Sequence, residues 1–142
     1  MPPDIEQDIK EKAEKLLNRS GNTMGDALGI EFIKISRHKM SAKMPVNKNT
    51  IQPFGILHGG ASVALAETLA SIGAWLNVND DSRNAVGLEI NANHLRPVKA
   101  GKKVTGTAIP IHIGSKTQVW EIRIVDERDK PVCIARCTLM II

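Results

Sequence analysis

Apolar residues near the start of the chain recur at helical spacing among Lys and Glu residues, which predicts an amphipathic helix over residues 4–19. The apolar positions are Ile5, Ile9, Ala13, Leu16 and Leu17. Asp4 is placed to cap the helix and Gly21 to end it. We expect this helix to dock on a larger core.

The pattern then changes to that of strands. Residues 30–46 begin with β-favouring residues and continue in alternation, which predicts one long strand that ends at Pro45. Further on, alternating segments separated by turn residues predict four more strands. Their ranges are 84–95, 102–113, 116–126 and 131–142.

Between these strands lies a loop, residues 47–58, followed by an almost wholly apolar segment that predicts a helix from Gly59 to about residue 77. Such a helix is about 27 Å long, close to the span of the neighbouring strands. We therefore predict an α+β fold in which an antiparallel sheet wraps around one long central helix. Two rows should face it: Val86, Leu88, Ile90 and Ala92, and Trp120, Ile122 and Ile124.

Composition narrows the classes of function. The 142 residues, 42% hydrophobic and 24% charged, are typical of one globular domain. The N-terminus carries no signal-peptide pattern and no charge-free apolar run spans a membrane, so we expect a cytoplasmic protein without membrane contact. Aromatic residues make up 3%, with no Tyr, which argues against nucleic-acid binding. The net charge of +4 suits an anionic, phosphate-bearing ligand.

Cys133 and Cys137 are the only cysteines, and their spacing completes no zinc pattern. In a strand they share one face with Ala135, Leu139 and Ile141. We interpret both thiols as core residues and expect no metal site.

Glu67 lies in the middle of the apolar helix, where an ionised carboxylate is costly unless something uses its charge. It could be a partly buried side chain that reaches solvent or pairs with an Arg. Alternatively, it could be a nucleophile or general base, held by Thr68 or by Ser71, which is one helical turn further on.

Upstream, Gln52 and His58 belong to a glycine-rich loop that leads into the helix at Gly59 and Gly60. His58 alone could be an ordinary polar loop residue. Bare N–H groups at a helix N-terminus, however, can form an oxyanion hole for a carbonyl.

Gly59 and Glu67 are eight residues apart, which is about 12 Å of helical rise. An attacking carboxylate must lie about 3–3.5 Å from the carbonyl. If both residues act on one carbonyl, Gly59 must come from one subunit and Glu67 from another, as in a symmetric dimer.

Three polar residues, Glu89, Asn91 and Asn93, alternate along the strand after the helix, facing away from it. This row could be a solvated sheet face or could line a groove at a dimer seam. Arg96 and Lys116 are candidate phosphate partners. The turn from Gly114 to Thr117 could add backbone and hydroxyl donors, although it lacks the Walker pattern.

The chain resembles the hotdog-fold acyl-CoA thioesterases in two segments taken together: Gln52-Pro-Phe-Gly-Ile-Leu-His-Gly-Gly-Ala-Ser and the later Leu-Ala-Glu67. The branch of this family that the chain resembles includes the phenylacetate-degradation thioesterases, the enterobactin-pathway proofreading thioesterase and 1,4-dihydroxy-2-naphthoyl-CoA hydrolase. The stretches Val86–His94 and His112–Trp120 resemble the latter two. The resemblance covers about residues 24–142, so we divide the chain into an N-terminal helical extension, 1–22, and a hotdog thioesterase domain, 23–142.

The resemblance implies a homodimer or homotetramer that hydrolyses an acyl-CoA thioester without a metal or cofactor, coenzyme A being part of the substrate. Glu67 would be nucleophile or general base, assisted by Ser71. The Gly59 N–H would polarise the carbonyl, with His58 and Gln52 orienting it. Positions near the acyl group or the CoA phosphates would be His94, Asn91, Asn93, Arg96, His112, Gly114, Ser115 and Lys116. Position 116 is Lys where close relatives are expected to carry Arg, which keeps the charge but not bidentate contact.

Two other classes compete with hydrolysis. Hotdog hydratases need an acid-to-His spacing after the loop that this chain lacks, and residues 52–57 contain no acid of the kind another thioesterase branch uses. A non-catalytic acyl-CoA-binding module would not need Glu67. The sequence thus favours hydrolysis of an acyl-CoA, by resemblance an aromatic one such as 1,4-dihydroxy-2-naphthoyl-CoA.

Overall fold

One long helix packs against a seven-stranded sheet in the computed structural model, which describes residues 1–19 and 21–142. The elements are β1 Asp4–Ile5, α1 Lys10–Leu17, α2 Met24–Leu28, β2 Glu31–Ile35, β3 Met40–Pro45, α3 Gly59–Leu76, β4 Ala85–His94, β5 Lys103–Ile113, β6 Thr117–Val125 and β7 Pro131–Ile141. The strand order is β1-β2-β3-β5-β6-β7-β4, antiparallel except for the parallel β1–β2 pair. The predicted wrapping of a central helix and the four strands after it are confirmed.

Close packing of α3 on the sheet depends on small residues. A Cβ at Gly73 would lie 2.7 Å from the Trp120 ring, so only glycine lets the helix approach this side chain. The buried Trp120 Nε1 donates to Gln118 Oε1 at 3.0 Å, and Gln118 Nε2 donates to the Ala74 carbonyl at 3.1 Å. This satisfied polar pair fixes the end of α3 that lies far from Gly59.

The N-terminal helix starts later than predicted. Asp4 does not cap it but lies in β1, where its carboxylate accepts a hydrogen bond from Lys34 at 2.7 Å. A short 3₁₀ turn, Gln7–Ile9, separates β1 from α1. The expected docking occurs, because Lys12 Nζ donates to the carbonyls of Trp75 at 2.7 Å and Val78 at 2.6 Å, at the C-terminal end of α3.

The single strand predicted over residues 30–46 is wrong: β2 and β3 form an antiparallel hairpin instead. The turn is closed by Ser36, whose N–H and hydroxyl both donate to the Lys39 carbonyl, at 3.1 and 2.8 Å. The polar run Ser36–Lys39 interrupts the alternation and carries this turn. The five-residue helix α2, capped by Thr23 and Asp26, was not predicted because it is too short to show a period.

A β-bulge in β4 corrects the predicted inner row. Gly87 pairs with Leu139 and Glu89 with Thr138, so Leu88 is an extra residue. Val86 and Leu88 consequently lie outside, 40% and 55% exposed, whereas Ile90 and Ala92 face the core as expected. The row Glu89, Asn91 and Asn93 is exposed, and Asn91 Nδ2 donates to the Glu89 carboxylate at 3.2 and 3.3 Å.

Candidate active site

The N-terminus of α3 opens into a cavity of about 350 Å³. Gly59 lines it, and across the described residues no carbonyl or side chain accepts a hydrogen bond from the Gly59 N–H. The His94 ring lies against this glycine, since a Cβ there would be 2.9 Å from His94 Nε2. The cavity therefore offers a free helix N-terminal N–H beside an imidazole.

Gln52 lines the same cavity, and its side-chain carbonyl accepts the Phe54 N–H, which shapes the loop before the helix. His58 is the N-cap residue, with Nδ1 accepting the Gly60 N–H at 2.8 Å. Because Nδ1 is an acceptor, the neutral ring carries its proton on Nε2. The structure thus brings together Gln52, Gly59 and His94, with His58 holding the turn.

Glu67 lies further along α3, where its half-buried side chain lines a second cavity of about 500 Å³. Ser71 lines this cavity as expected. Thr68 does not hold the acid, because its hydroxyl donates to the Ala64 carbonyl at 2.7 Å. Throughout residues 1–19 and 21–142, no group donates a hydrogen bond to the Glu67 carboxylate, which leaves it available to a ligand or a partner chain.

Gly87 on β4 lies directly against this carboxylate. A Cβ on Gly87 would overlap Glu67 Oε1 and lie 3.3 Å from Glu67 Cδ. On the neighbouring strand β7, burial together with the negative charges of Glu67 and Glu89 raises the pKa of Cys137 to about 12. Both thiols are free and fully buried, which agrees with their predicted place in the core. The sequence analysis missed Gly87, although a glycine inside a strand signals close approach of another group.

The two cavities, around Gly59 and around Glu67, share no lining residue. Both open along the same helix, eight residues apart, which is about 12 Å. One chain therefore carries two separate candidate half-sites, one at Gly59 and one at Glu67. The strand β4, which borders both cavities, is an edge strand: it pairs with β7 on one side and, in the described part of the chain, with no strand on the other.

The predicted phosphate contacts divide between the two ends of the sheet. Arg96, which donates to the Pro131 carbonyl at 3.2 Å, lines the Gly59 cavity. It also lines an adjoining cleft in which cations outnumber acids: Lys99, Lys102, Arg128 and Lys130 against Asp126 and Glu127. Lys116 lies in the β5–β6 turn instead, at the level of Ala85 rather than of His94. These two levels are about eight strand residues, or about 27 Å, apart along β7, so one chain does not bring Arg96 and Lys116 together.

The β5–β6 turn is tight. The Gly114 N–H donates to the Thr117 carbonyl at 2.9 Å, and a Cβ at Gly114 would lie 2.5 Å from His112 Nε2. Ser115 and Lys116 are exposed at its tip. The turn thus presents the side chains of His112, Ser115 and Lys116 at the end of the molecule where the Glu67 cavity lies.

Comparison with known proteins identifies the fold family. Residues 54–133 match the family model described as the thioesterase superfamily. The 1,4-dihydroxy-2-naphthoyl-CoA hydrolase of Listeria monocytogenes is 50% identical over 82% of this chain and 93% of its own. The proofreading thioesterase EntH of Klebsiella pneumoniae is 47% identical over 82% and 84%. A thioesterase structure from Haemophilus influenzae superposes with a TM-score of 0.84 and 47% identity, covering 91% of this chain and 89% of that one.

The chain belongs to the thioesterase superfamily, and the predicted hotdog fold and membership are confirmed. It is an enzyme that hydrolyses thioesters. Among the described residues, no helix is long and apolar enough to span a membrane.

Proposed function

We propose that this protein hydrolyses an acyl-CoA to the free acid and CoA, with an aromatic acyl group such as 1,4-dihydroxy-2-naphthoyl. The observation that carries the proposal is the half-buried Glu67 carboxylate, which no described residue engages and which lies in an open cavity. The carboxylate is thus reachable by a ligand while its stem packs in the helix face. The names of relatives similar over most of their length support the acyl-CoA substrate.

In this mechanism, the thioester carbonyl oxygen accepts a hydrogen bond from the Gly59 N–H at the N-terminus of α3. The helix dipole and this donor stabilise the negative charge that develops on the oxygen during attack. Glu67 either attacks the carbonyl carbon itself or removes a proton from the attacking water. His94 and Gln52 line the carbonyl cavity, and Ser71 assists the acid or its water.

The separation of the half-sites makes the active unit a dimer. We infer that Gly59 of one chain and Glu67 of the other meet on one carbonyl, which gives two equivalent sites. The free edge of β4 and the neighbouring half-buried face of α3 supply the surface for this assembly, since an unpaired edge strand of ten residues invites pairing.

An apolar groove supports a hydrophobic acyl group. It shares Met24, Thr68 and Ile72 with the Glu67 cavity. The N-terminal segment builds its other wall with Leu16 and Leu17. The nucleotide end of CoA would lie toward the basic cleft around Arg96, where clustered cations favour phosphates. In the dimer, Lys116 would approach the ligand from the other chain.

The test is thiol release from a panel of benzoyl-, naphthoyl-, phenylacetyl- and medium-chain acyl-CoA substrates by wild type, Glu67→Gln and the control Glu121→Gln. Glu121 is a carboxylate on β6 that pairs with Arg123, at 3.7 Å. Glu67→Gln should lower kcat by about 10²–10⁴-fold with the fold intact, while the control stays near wild type. Full turnover in folded Glu67→Gln protein would refute the mechanism. Saturable CoA-ester binding without any thiol release would favour a binding module instead.

A further inference from the structure

The contact between Glu67 and Gly87 points to a positioning residue on the neighbouring strand. Glu67 leaves α3 toward β4, and its Oε1 occupies the space where any residue other than glycine at position 87 would carry its Cβ. Gly87 has an ordinary negative φ, because the positive values belong to other glycines. The backbone conformation therefore permits other residues here, whereas the observed position of the carboxylate leaves no room for a Cβ.

We propose that Gly87 positions the catalytic carboxylate: the missing side chain is the slot that holds Glu67 at its reacting position. This assignment rests on the proposed role of Glu67. Within the described residues no hydrogen bond fixes the acid, so the shape of its surroundings is what restricts it. The β4 backbone forms that surface on one side.

The bulge keeps this surface in place. Gly87 pairs with Leu139, whose side chain is fully buried, so Gly87 faces the helix side of the sheet. The extra residue Leu88 is exposed and leaves the strand at this point. A methyl group at position 87 would overlap Glu67 Oε1, so the carboxylate would have to move away from β4. A shift of about 1 Å can reduce turnover by about 100-fold.

The experiment uses Gly87→Ala in three backgrounds: wild type, Glu67→Asp and Glu67→Ala. In wild type, kcat should fall at least about tenfold while KM for the acyl-CoA changes little, since the reacting acid moves and the binding surfaces do not. In Glu67→Asp, whose carboxylate lies one methylene closer to the helix, Gly87→Ala should lower kcat by a smaller factor. In Glu67→Ala no carboxylate remains to clash, so adding Gly87→Ala should not lower the urea midpoint.

Gly106→Ala is the matched control. It adds a Cβ in β5 against the same helix, 2.9 Å from Leu69 Cδ1 and 3.2 Å from Leu65 Cδ2, on the side away from Glu67. It should lower stability equally with Glu67 and with Ala at position 67, and leave kcat near that of wild type. Only Gly87→Ala should show coupling to position 67.

The outcomes separate the two proposals. Wild-type kcat in Glu67→Gln would defeat the role of Glu67 itself. An inactive Glu67→Gln together with unimpaired Gly87→Ala would overturn the positioning role alone. Equal losses of stability from Gly87→Ala in all three backgrounds would also overturn it, since they would show that Gly87 serves the fold and not the acid.

Discussion

Gly87 and His94 lie on the same, helix-facing side of β4, although they are seven positions apart. In a regular strand an odd separation places two residues on opposite faces. The extra residue Leu88 changes the count, so that Gly87 contacts Glu67 while His94 contacts Gly59. One strand therefore borders both half-sites, and the bulge makes this possible.

The bulge gives a prediction about deletions. Removing Leu88 leaves Gly87 and His94 an even number of residues apart, so both still face α3, and kcat/KM should stay within about tenfold of wild type. Removing Asn93 instead turns His94 outward, and turnover should fall at least about 100-fold. Asn93→Ala is the control that keeps the residue count. Equal loss in both deletion variants, with folding checked by circular dichroism, would contradict this account of the bulge.

The sequence predicts the central helix because its apolar run is long, and the later strands because their alternation is regular. It draws attention to Glu67 because an acid breaks the apolar run. It does not predict the turn at Ser36, because strand-like residues stand on both sides of the four polar residues that form it. The bulge at Leu88 is also hidden, since Val86 and Leu88 alternate correctly with their neighbours. Only pairing with β7 shows which residue is extra, and the role of Gly87 depends on it.

Site sharing between subunits can be tested by mixing two inactive chains. Glu67→Ala lacks the acid, and Gly59→Pro lacks the N–H donor, because proline has none. In a mixed dimer one site carries both lesions and the other carries none. Co-expressed mixtures should therefore recover up to about a quarter of wild-type activity, since half of the dimers are mixed and each has one intact site. Absence of recovery, with mixed dimers confirmed by mass, would place both groups of each site in one chain.

Lys12 is expected to stabilise the central helix from the N-terminal segment. Its ammonium donates to the carbonyls of Trp75 and Val78, at 2.7 and 2.6 Å, and lies 4.4 Å from the centre of the Trp75 ring. Lys12→Ala leaves these C-terminal carbonyls without this donor and should lower the free energy of unfolding by about 1–3 kcal/mol. Urea denaturation measures this. Lys15→Ala is the control: its exposed pair with Glu11, at 3.2 Å, should contribute at most about 0.5 kcal/mol.

Cys137 makes the stability sensitive to alkaline pH. Burial first, and then the negative charges of Glu67 and Glu89, raise its pKa from 9.0 to about 12, so the folded state favours the neutral thiol. A raised pKa of this kind stabilises the fold fully below pH 9.0, and the contribution is lost as the pH rises toward about 12. One proton held in the folded state alone corresponds to a slope of about 1.4 kcal/mol per pH unit.

Cys137→Ala removes this titration, although the smaller side chain should also lower stability at every pH. Urea denaturation between pH 9.0 and 11 should therefore show the wild-type free energy of unfolding falling more steeply than that of the variant. The difference in slope, rather than in level, reports the thiol, because the cavity cost does not depend on pH. Parallel curves would mean that folding does not raise the pKa of the Cys137 thiol, which would contradict this prediction.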